Sequence, residues 1–272
     1  WNGNNEVYLN QLDDGGAGTD GLPDIDLGGP DSGSQVVNQD ITVGMHHSCG
    51  ILSNGSAMCW GGNPDGQLGH GGGTADYYFP VEVDTPSGRT VVSISAGNFH
   101  TCAILDDGKA MCWGNGYDGR LGNNDTDSQF TPVYVDLPEG RDAVGISAGS
   151  YHTCAVLDDG SAVCWGLNDV GQLGDGTTDS ALSPVYVVLP SGRTASSIDA
   201  GDSHSCAVLD NGSAVCWGAG YTGMLGNGDN QNQNSPVYVT LSEGDSVSQI
   251  SAGKEFTCAV MDDADTKCWG NG

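Results

Sequence analysis

The chain has 272 residues, including 45 glycines and 10 cysteines, and its 7 Lys and Arg residues face 35 Asp and Glu, for a net charge of −28. Because nucleic acids and anionic membrane surfaces bind basic residues that neutralise phosphate, this charge argues against both partners. No apolar run reaches transmembrane length. Short alternating runs separated by turn signals predict an all-β fold, and the chain is long enough to bury a sizeable core.

Residues 1–43 are the irregular part of the chain. Their acidic, glycine-rich stretch at 13–21 fits no calcium-loop motif, so a solvated loop is favoured over a metal site. Residues 23–27 repeat the pattern of 132–137, and Trp1-Asn2-Gly3 echoes the Trp-Gly-Asn-Gly that closes the chain. Since the sequence opens at Trp1 without a signal peptide, we expect that it has been processed or is part of a longer protein.

One unit then recurs five times. The shared pattern is Ala-Gly-x-x-His-Thr/Ser-Cys, with Val43 in place of alanine in the first copy and Phe256 in place of histidine in the fifth, followed by a turn and by Cys-Trp-Gly. Successive Cys-Trp pairs lie 52 or 53 residues apart. A fixed period of this size is typical of a solenoid, a propeller or an array. We therefore predict one domain, with residues 1–43 as an N-terminal partial repeat and residues 44–272 as five hairpin-containing repeats.

The cysteines of each copy flank a turn at equal distances. In the third copy a three-residue loop, Asp158 to Gly160, places Cys154 opposite Cys164, and such a loop favours glycine at its last position. Opposite residues at such a site have Cα atoms about 4.5 Å apart, within the range of a disulfide. The predicted disulfides are Cys49–Cys59, Cys102–Cys112, Cys154–Cys164, Cys206–Cys216 and Cys258–Cys268. Complete pairing of this kind indicates an oxidising, extracellular setting.

Further strands follow each hairpin. A Gly-x-Leu-Gly corner and a polar loop precede a short strand that we predict to begin at a proline, namely Pro80, Pro132, Pro184 or Pro236. A turn and another apolar run then lead into the next hairpin. Each period thus contains about four short strands, which is the content of one propeller blade.

These motifs resemble the repeat of the regulator-of-chromosome-condensation family, called RCC1-type repeats, over nearly all of residues 36–272 and weakly before them. The resemblance implies a β-propeller, commonly of seven blades, that forms a rigid disc with protein-binding loop faces. Members of that family include a nuclear guanine-nucleotide exchange factor and a secreted inhibitor of β-lactamases. Fold alone does not carry function, and a nuclear, chromatin-bound role fits neither the acidity nor the predicted disulfides.

The chain departs from the family pattern in two ways. The hairpin cysteines are additional, and we interpret them as an extracellular adaptation. The fifth copy has Phe256 where the other copies have histidine, and Ala264 where they have the turn glycine. Terminal repeats are often atypical.

The ends of the chain look complementary, because the fifth copy lacks the proline-led strand and residues 1–43 contain one without a hairpin. Pairing within one molecule predicts a closed propeller of five blades, with one blade made from N- and C-terminal parts. If the seven-fold angle of about 51° per blade is kept, the ring stays open and the halves pair between molecules. A contact of that kind, which does not close, generates a filament.

The repeated histidines and tryptophans are predicted to be structural. Repetition once per blade spreads the histidines around a ring, so a buried structural role is favoured over metal binding; they are His47, His100, His152 and His204. The tryptophans are predicted to pack between blades. Since no nucleophile elbow, phosphate loop or zinc-protease motif is present, we predict no catalytic residues and no enzyme activity.

Residues that break the repeat are the interface candidates. Tyr77, Tyr78 and Phe79 form an aromatic cluster where other copies have a polar loop, and they either form an exposed binding patch or pack over their own blade. Tyr117 and Tyr221 occupy matching corner positions and are further candidates for a binding face.

The sequence also contains candidate sites for modification and for metal binding. Glycosylation sequons start at Asn54, Asn124 and Asn211, and the first and third coincide with hairpin turns that already explain Asn-Gly. No cofactor is predicted. Two acidic loops could hold structural calcium, but a solvated loop is the favoured interpretation of both. Their carboxylates belong to Asp125, Asp127, Asp175 and Asp179.

Three functions follow from these observations. The first, slightly preferred, is a non-catalytic extracellular scaffold whose copies assemble into a filament or surface layer through complementary terminal half-blades. The second is a closed binding module, an adhesin or a protein inhibitor, that uses its loop faces. The third and least favoured is an enzyme acting on an extracellular polymer. The expected partners are copies of the chain itself or another extracellular protein.

Overall fold

A computed structural model of the protein describes residues 41–271. The predicted strand at 23–27 and the acidic loop at 13–21 lie outside the described residues. Within that range the chain forms nineteen β-strands and a single 3-10 turn, Tyr117–Gly119. None of its helical segments is long and apolar enough to cross a membrane. The all-β prediction is confirmed.

The strands form five antiparallel sheets, each built from consecutive strands in chain order. The first sheet contains β1 (Ile41–Val43), β2 (His47–Ile51), β3 (Ala57–Gly61) and β4 (Tyr77–Glu82). The second contains β5 (Val91–Ala96), β6 (His100–Leu105), β7 (Ala110–Gly114) and β8 (Gln129–Tyr134). The third contains β9 (Ala143–Ala148), β10 (His152–Leu157), β11 (Ala162–Gly166) and β12 (Ala181–Tyr186). The fourth contains β13 (Ala195–Ala200), β14 (His204–Leu209), β15 (Ala214–Gly218) and β16 (Gln233–Tyr238).

The fifth sheet differs from the others. It contains β17 (Val247–Ala252), β18 (Phe256–Met261) and β19 (Thr266–Gly270), and within residues 41–271 no fourth strand pairs with β19. Five successive sheets of three or four strands are the blades of a β-propeller, as the repeat predicts. β1 falls inside the segment 1–43 that the sequence sets apart, yet it is the innermost strand of the first sheet.

The hairpins have the predicted register. Cys154 lies opposite Cys164 in the β10–β11 pair, with Cα atoms 4.1 Å apart, and all five predicted disulfides are formed within their own hairpins. The Gly160 N–H donates to the Leu157 carbonyl at 2.9 Å, and Gly160 has a φ of 77°. The fifth hairpin makes the same turn with Ala264 at a φ of 67°, a conformation that costs a residue with a Cβ more than it costs glycine.

The prediction that the fourth strand of each sheet begins at its proline is wrong. Each proline is the fourth residue of its strand, so the aromatic residues Tyr77 to Phe79 begin β4 and do not form a loop. The fourth strand lies at the outer edge of its sheet, and its ladder with the third strand shifts register, between Cys164 and Gly166 in the third sheet. A residue without an N–H is tolerated at such an edge, so the strand extends on both sides of the proline.

The core lies between the sheets. Four apolar clusters join the first sheet to the second, the second to the third, the third to the fourth and the fourth to the fifth. We call the face of a sheet that meets the preceding sheet its leading face, and the opposite one its trailing face. In the second cluster the trailing-face disulfide Cys102–Cys112 packs with Leu157 and Trp165 of the next leading face. Among residues 41–271 no such cluster joins the fifth sheet to the first.

Candidate functional site

The interface between two sheets is built from one repeated set of hydrogen bonds. Between the second and third sheets, the Thr153 hydroxyl lies 2.8 Å from His100 Nε2 and 2.9 Å from the Arg120 carbonyl of the Gly-x-Leu-Gly corner. Trp165 Nε1 donates to the same carbonyl at 2.9 Å. At each of the four interfaces between sheets, the trailing face thus supplies a histidine and a corner carbonyl, and the leading face supplies a hydroxyl and an indole. The other histidine–hydroxyl pairs are His47–Thr101, His152–Ser205 and His204–Thr257.

This geometry determines the tautomer of the histidines. A carbonyl oxygen only accepts hydrogen bonds, so the Thr153 hydroxyl donates its single hydrogen to Arg120 and accepts from His100 Nε2–H. His100 Nδ1 has no hydrogen-bond partner in the part of the chain that the structure describes. The neutral imidazole therefore satisfies this interface, whereas a protonated one would bury an unpartnered N–H.

Burial accordingly disfavours the charged form of these histidines. It lowers the pKa of His47 and His204 to about 4 and the pKa of His152 to about 3. It lowers the pKa of His100 well below its ordinary value, with a smaller contribution from the Arg120 guanidinium. Neutral side chains that are hydrogen-bonded through Nε2 and buried between sheets fit the structural role predicted from the sequence.

The disulfides of the first four sheets are fully buried, and the fifth is not. Each of the first eight cysteines is 0% exposed because the next leading face covers it. In the fifth sheet Cys268 is exposed and Cys258 is half-buried. Phe256, which stands in place of the interface histidine, is 43% exposed. The trailing face of the fifth sheet is therefore open among the described residues.

The leading face of the first sheet is open in the same way. Leu52, Met58 and Trp60 are only half-buried, whereas the equivalent Met111 and Trp113 of the second sheet are 1% and 0% exposed. Among residues 41–271 no corner carbonyl accepts from the Trp60 indole. The first leading face thus presents the residue types that other leading faces bury.

The aromatic candidates in β4 have separate positions. Tyr77 is half-buried and packs edge-on against His70 and Phe79, with ring centroids 4.5 and 5.9 Å away. Tyr78 is 92% exposed and Phe79 is 46% exposed. Tyr77 thus packs over its own blade, and Tyr78 and Phe79 are both exposed, with their side chains on opposite faces of the strand.

The two corner tyrosines lie on different sheets. Tyr117 is exposed in the corner of the second sheet. Beside it, the buried Arg120 guanidinium donates to the Tyr117 carbonyl and to Asp118, and it lies 5.2 Å from the Tyr151 ring centroid. Tyr221 is exposed in the corner of the fourth sheet, where it lines an open groove. The third sheet separates the two tyrosines.

The sequon asparagines are all on the surface. Asn54 and Asn211 are exposed at hairpin turns, where their side-chain oxygens accept from the N–H groups of Ser56 and Ser213. Asn124 is exposed in a corner loop with a φ of 60°. All three positions are accessible, and glycosylation stays a prediction.

The aspartates named as calcium candidates do not gather around one metal site. Asp125 Oδ1 accepts from the N–H groups of Thr126 and Asp127, and Asp175 accepts from the N–H and hydroxyl of Thr177. Asp179 contributes its carbonyl to Asn168. Within residues 41–271 there is no group of three or more His, Cys, Asp or Glu side chains that could hold a metal ion.

Known proteins resemble this chain in sequence and in fold. The family model described as RCC1-like domain matches residues 28–272. The ultraviolet-B receptor UVR8 of Arabidopsis thaliana is 34% identical over 81% of this chain and 50% of its own length. Yeast RCC1 (Prp20), in a crystal structure with Kap60, superposes with a TM-score of 0.74 at 22% identity, over 85% of this chain and 55% of that one. The entire ectodomain of the receptor kinase CR4 from Physcomitrella patens gives a TM-score of 0.54 at 25% identity, over 85% of this chain and 51% of that one. The chain therefore spans about half the length of these proteins.

Proposed function

Because the chain belongs to the RCC1-like domain family, we propose that it is an extracellular, non-catalytic scaffold that binds protein and joins to further copies of itself. The joining surfaces are the trailing face of the fifth sheet and the leading face of the first. The scaffold is held rigid by the repeated interfaces between its sheets.

The extracellular setting is supported by the sulfur chemistry. All ten cysteines are paired in disulfides, a state that persists in oxidising compartments. The match to a receptor-kinase ectodomain adds that a related fold occurs outside the cell. The net charge of −28 favours solubility and opposes non-specific association, so that only a specific complementary surface is bound.

A protein-binding role, as opposed to a catalytic one, is supported by the structural role of the repeated histidines. The four interface histidines are neutral and committed to hydrogen bonds between sheets, so they are not placed as acid or base groups. The yeast relative was crystallised with a protein partner bound. A disc of rigid sheets with variable loops supports the same kind of use here.

Self-association is carried by one observation: the open trailing face and the open leading face are complementary in residue type. The fifth sheet presents Cys258, Val260 and Cys268, which match the residues that trailing faces bury elsewhere. The first sheet presents Met58 and Trp60, which match buried leading-face residues. Burying these apolar surfaces against each other favours association by about 25 cal/mol per Å² before the cost of ordering is subtracted.

Sedimentation velocity across a wide range of protein concentration tests this proposal. The full chain should show mass that rises with concentration, and Met58→Lys should shift association to much higher concentration because the lysine would be desolvated in the joint. Val188→Lys, which changes an exposed apolar residue shortly after the outer strand of the third sheet, is the matched control and should associate like the parent. A monodisperse monomer at all concentrations would refute self-association.

The exposed pair Tyr78 and Phe79 supports a second candidate function, capture of another protein as an adhesin or inhibitor does. Replacing both residues by serine while keeping the packed Tyr77 should abolish partner capture and lower the melting temperature only slightly, by the loss of the Phe79 contact with the Tyr77 ring. Capture that survives the double replacement would remove this candidate.

A further inference from the structure

Three corners of the propeller hold the outer strand of the next sheet. The backbone N–H of a residue in the loop after each corner donates to a carbonyl of that strand. The three bonds are Gly71 to Phe130 at 2.9 Å, Asn124 to Leu182 at 3.0 Å, and Gly176 to Asn234 at 2.8 Å. Each corner is therefore a socket for the first half of a fourth strand.

Glycine makes these sockets possible. An added Cβ would lie 2.8 Å from the Phe130 Cα at Gly66, and 2.5 Å from the Leu182 Cα at Gly119. At Gly171 it would lie 2.5 Å from the Asn234 Cα. Real Cβ atoms do not approach a backbone this closely, so only glycine admits the strand.

The fourth corner has the same glycines and no strand against them in the described part of the chain. Nothing in residues 41–271 lies within 4 Å of a Cβ built on Gly223 or Gly228. The space is an open groove of about 770 Å³ that is lined by Tyr221, Thr222, Gly223, Gly228, Asp229 and Asn230. It is the position that β8, β12 and β16 occupy in the other sockets.

The groove continues along an unpaired sheet edge. In the third sheet Val185 lies opposite Cys164, Tyr186 lies opposite Val163, and the Val187 N–H donates to the Ala162 carbonyl at 2.9 Å. The equivalent edge in the fifth sheet is β19, whose Thr266 and Cys268 are exposed. An incoming strand in this register would place a valine opposite Cys268 and a tyrosine opposite Lys267.

The strands that fill the other sockets define the sequence that fits. Residues 234–239, from the second residue of β16 to the residue after it, read Asn-Ser-Pro-Val-Tyr-Val, and β8 and β12 also end in Pro-Val-Tyr. Residues 4–9 of this chain read Asn-Asn-Glu-Val-Tyr-Leu, with asparagine, valine and tyrosine at the same spacing. Val7 and Leu9 would then take the inward positions that Val237 and Val239 take in the fourth sheet.

The other proline-led segment fits less well. Aligning Pro23 with Pro236 places Asp24 and Asp26 at the inward positions of Val237 and Val239. Since Val239 is only 8% exposed, a carboxylate there would lose its hydration without gaining a partner. The half-blade suggested by residues 23–27 is therefore the weaker donor.

We propose that the groove formed by the fourth corner and β19 binds residues 4–9 of a second copy of this chain by strand addition. This inference rests on the proposed self-association and names the segment that joins the copies. The added strand completes the fifth sheet to four strands, so each copy gives one strand and receives one.

A fluorescent peptide with the sequence of residues 1–11, titrated into the full chain, tests the proposal by anisotropy. Saturable binding is expected. A peptide with Val7→Asp and Leu9→Asp should not bind, and one with N-methylated Leu9 should bind much more weakly because it cannot donate to the Thr266 carbonyl. An excess of the parent peptide should lower the sedimenting mass of the associated protein.

The protein variants test whether a Cβ at the fourth corner blocks the incoming strand, as it would in the three filled sockets. Gly223→Asn should weaken peptide binding by about tenfold or more, because its Cβ would occupy the path of the strand, while asparagine tolerates the positive φ at this position. Gly244→Asn is the matched control, since Gly244 also has a positive φ and open space around it, and it should bind like the parent.

The outcomes separate this inference from the proposed function. If Gly223→Asn still associates and the parent chain binds no peptide, the inference is overturned and self-association still stands. Peptide binding by a chain that remains monomeric would refute self-association and the second copy as donor. Tighter binding of a peptide with residues 22–28 would overturn the choice of residues 4–9.

Discussion

The third and fifth sheets contain the same hairpin in different surroundings. Both have a cysteine pair with Cα atoms 4.1 Å apart and a turn residue with positive φ. Cys154 and Cys164 are fully buried beneath the fourth sheet, whereas Cys268 is exposed. The hairpin is thus a property of each repeat, and its burial is a property of the neighbour, as expected for a repeat protein.

The side chains of the two sheets differ where the neighbour would be. His152 donates to Ser205 of the next sheet, but its counterpart Phe256 cannot donate to any hydroxyl. The small Ala162 is replaced by Thr266. The fifth trailing face therefore keeps the apolar character of an interface without its histidine bond, which fits a surface that meets a separate molecule.

The largest expected difference between the two sheets concerns their tryptophans. Trp165→Ala should lower the free energy of unfolding by about 3–5 kcal/mol, because Trp165 is fully buried and donates to the Arg120 carbonyl. Trp269→Ala should cost clearly less, since Trp269 is only half-buried. Urea denaturation of both variants measures this. Equal losses would mean that the exposed part of Trp269, on the leading face of the fifth sheet, is covered in solution.

The disulfides give a smaller contrast. Replacing Cys154 and Cys164 by alanine should cost about 2–3 kcal/mol from the closed loop, plus the loss of buried packing. Replacing Cys258 and Cys268 should cost the loop contribution alone, because little of that pair is packed. Thermal unfolding monitored by circular dichroism compares the two double variants, and a larger loss for the fifth hairpin would contradict the account.

The interface histidines make stability depend on pH. The unfolded chain protonates His204 near its ordinary pKa of 6.5, but burial lowers the folded pKa to about 4. The contribution of neutral His204 to the free energy of unfolding is therefore complete above pH 6.5. It is lost as the pH falls towards 4, at about 1.4 kcal/mol per pH unit. His204→Phe, which copies the fifth sheet, should cost about 1 kcal/mol at pH 7 and reduce this dependence on pH by one proton.

Urea denaturation at several pH values checks that prediction. A variant with an unchanged slope between pH 6.5 and 4 would show that His204 is not held neutral. Tyr78→Phe, at a fully exposed aromatic position, serves as the control and should change neither stability nor slope.

The smallest effect is expected at the turn. Ala264→Gly should stabilise the chain by about 0.5–1 kcal/mol, because glycine removes the strain of a positive φ. Gly160→Ala should destabilise by more than that amount, since its Cβ would also lie 2.7 Å from the Thr194 Cβ. Differential scanning calorimetry of both variants tests this, and a destabilised Ala264→Gly would contradict the assigned turn.

Much of the fold follows from the sequence, because the information is local and repeated. Symmetry of Cys154 and Cys164 about a glycine turn is enough to predict the register and the disulfide. The start of the fourth strand was missed because the ladder shifts register next to Pro184, which the spacing alone does not reveal.

The candidate site was less accessible from the sequence. The bond from Thr153 to the Arg120 carbonyl joins residues 33 positions apart, and only the packing of sheets brings them together. A signal was present, because every copy has serine or threonine after its histidine or Phe256. The groove at Gly223 carried no signal of its own, since its glycines have the same pattern as the filled sockets.

The central claim is that the open trailing face of the fifth sheet is where copies of this chain meet. Mild reduction followed by alkylation and peptide mass spectrometry, on dilute and concentrated protein, tests it most directly. We expect Cys258–Cys268 to be reduced before the four buried disulfides in dilute protein, and to become protected as concentration rises. Equal labelling of this pair at both concentrations would contradict the claim.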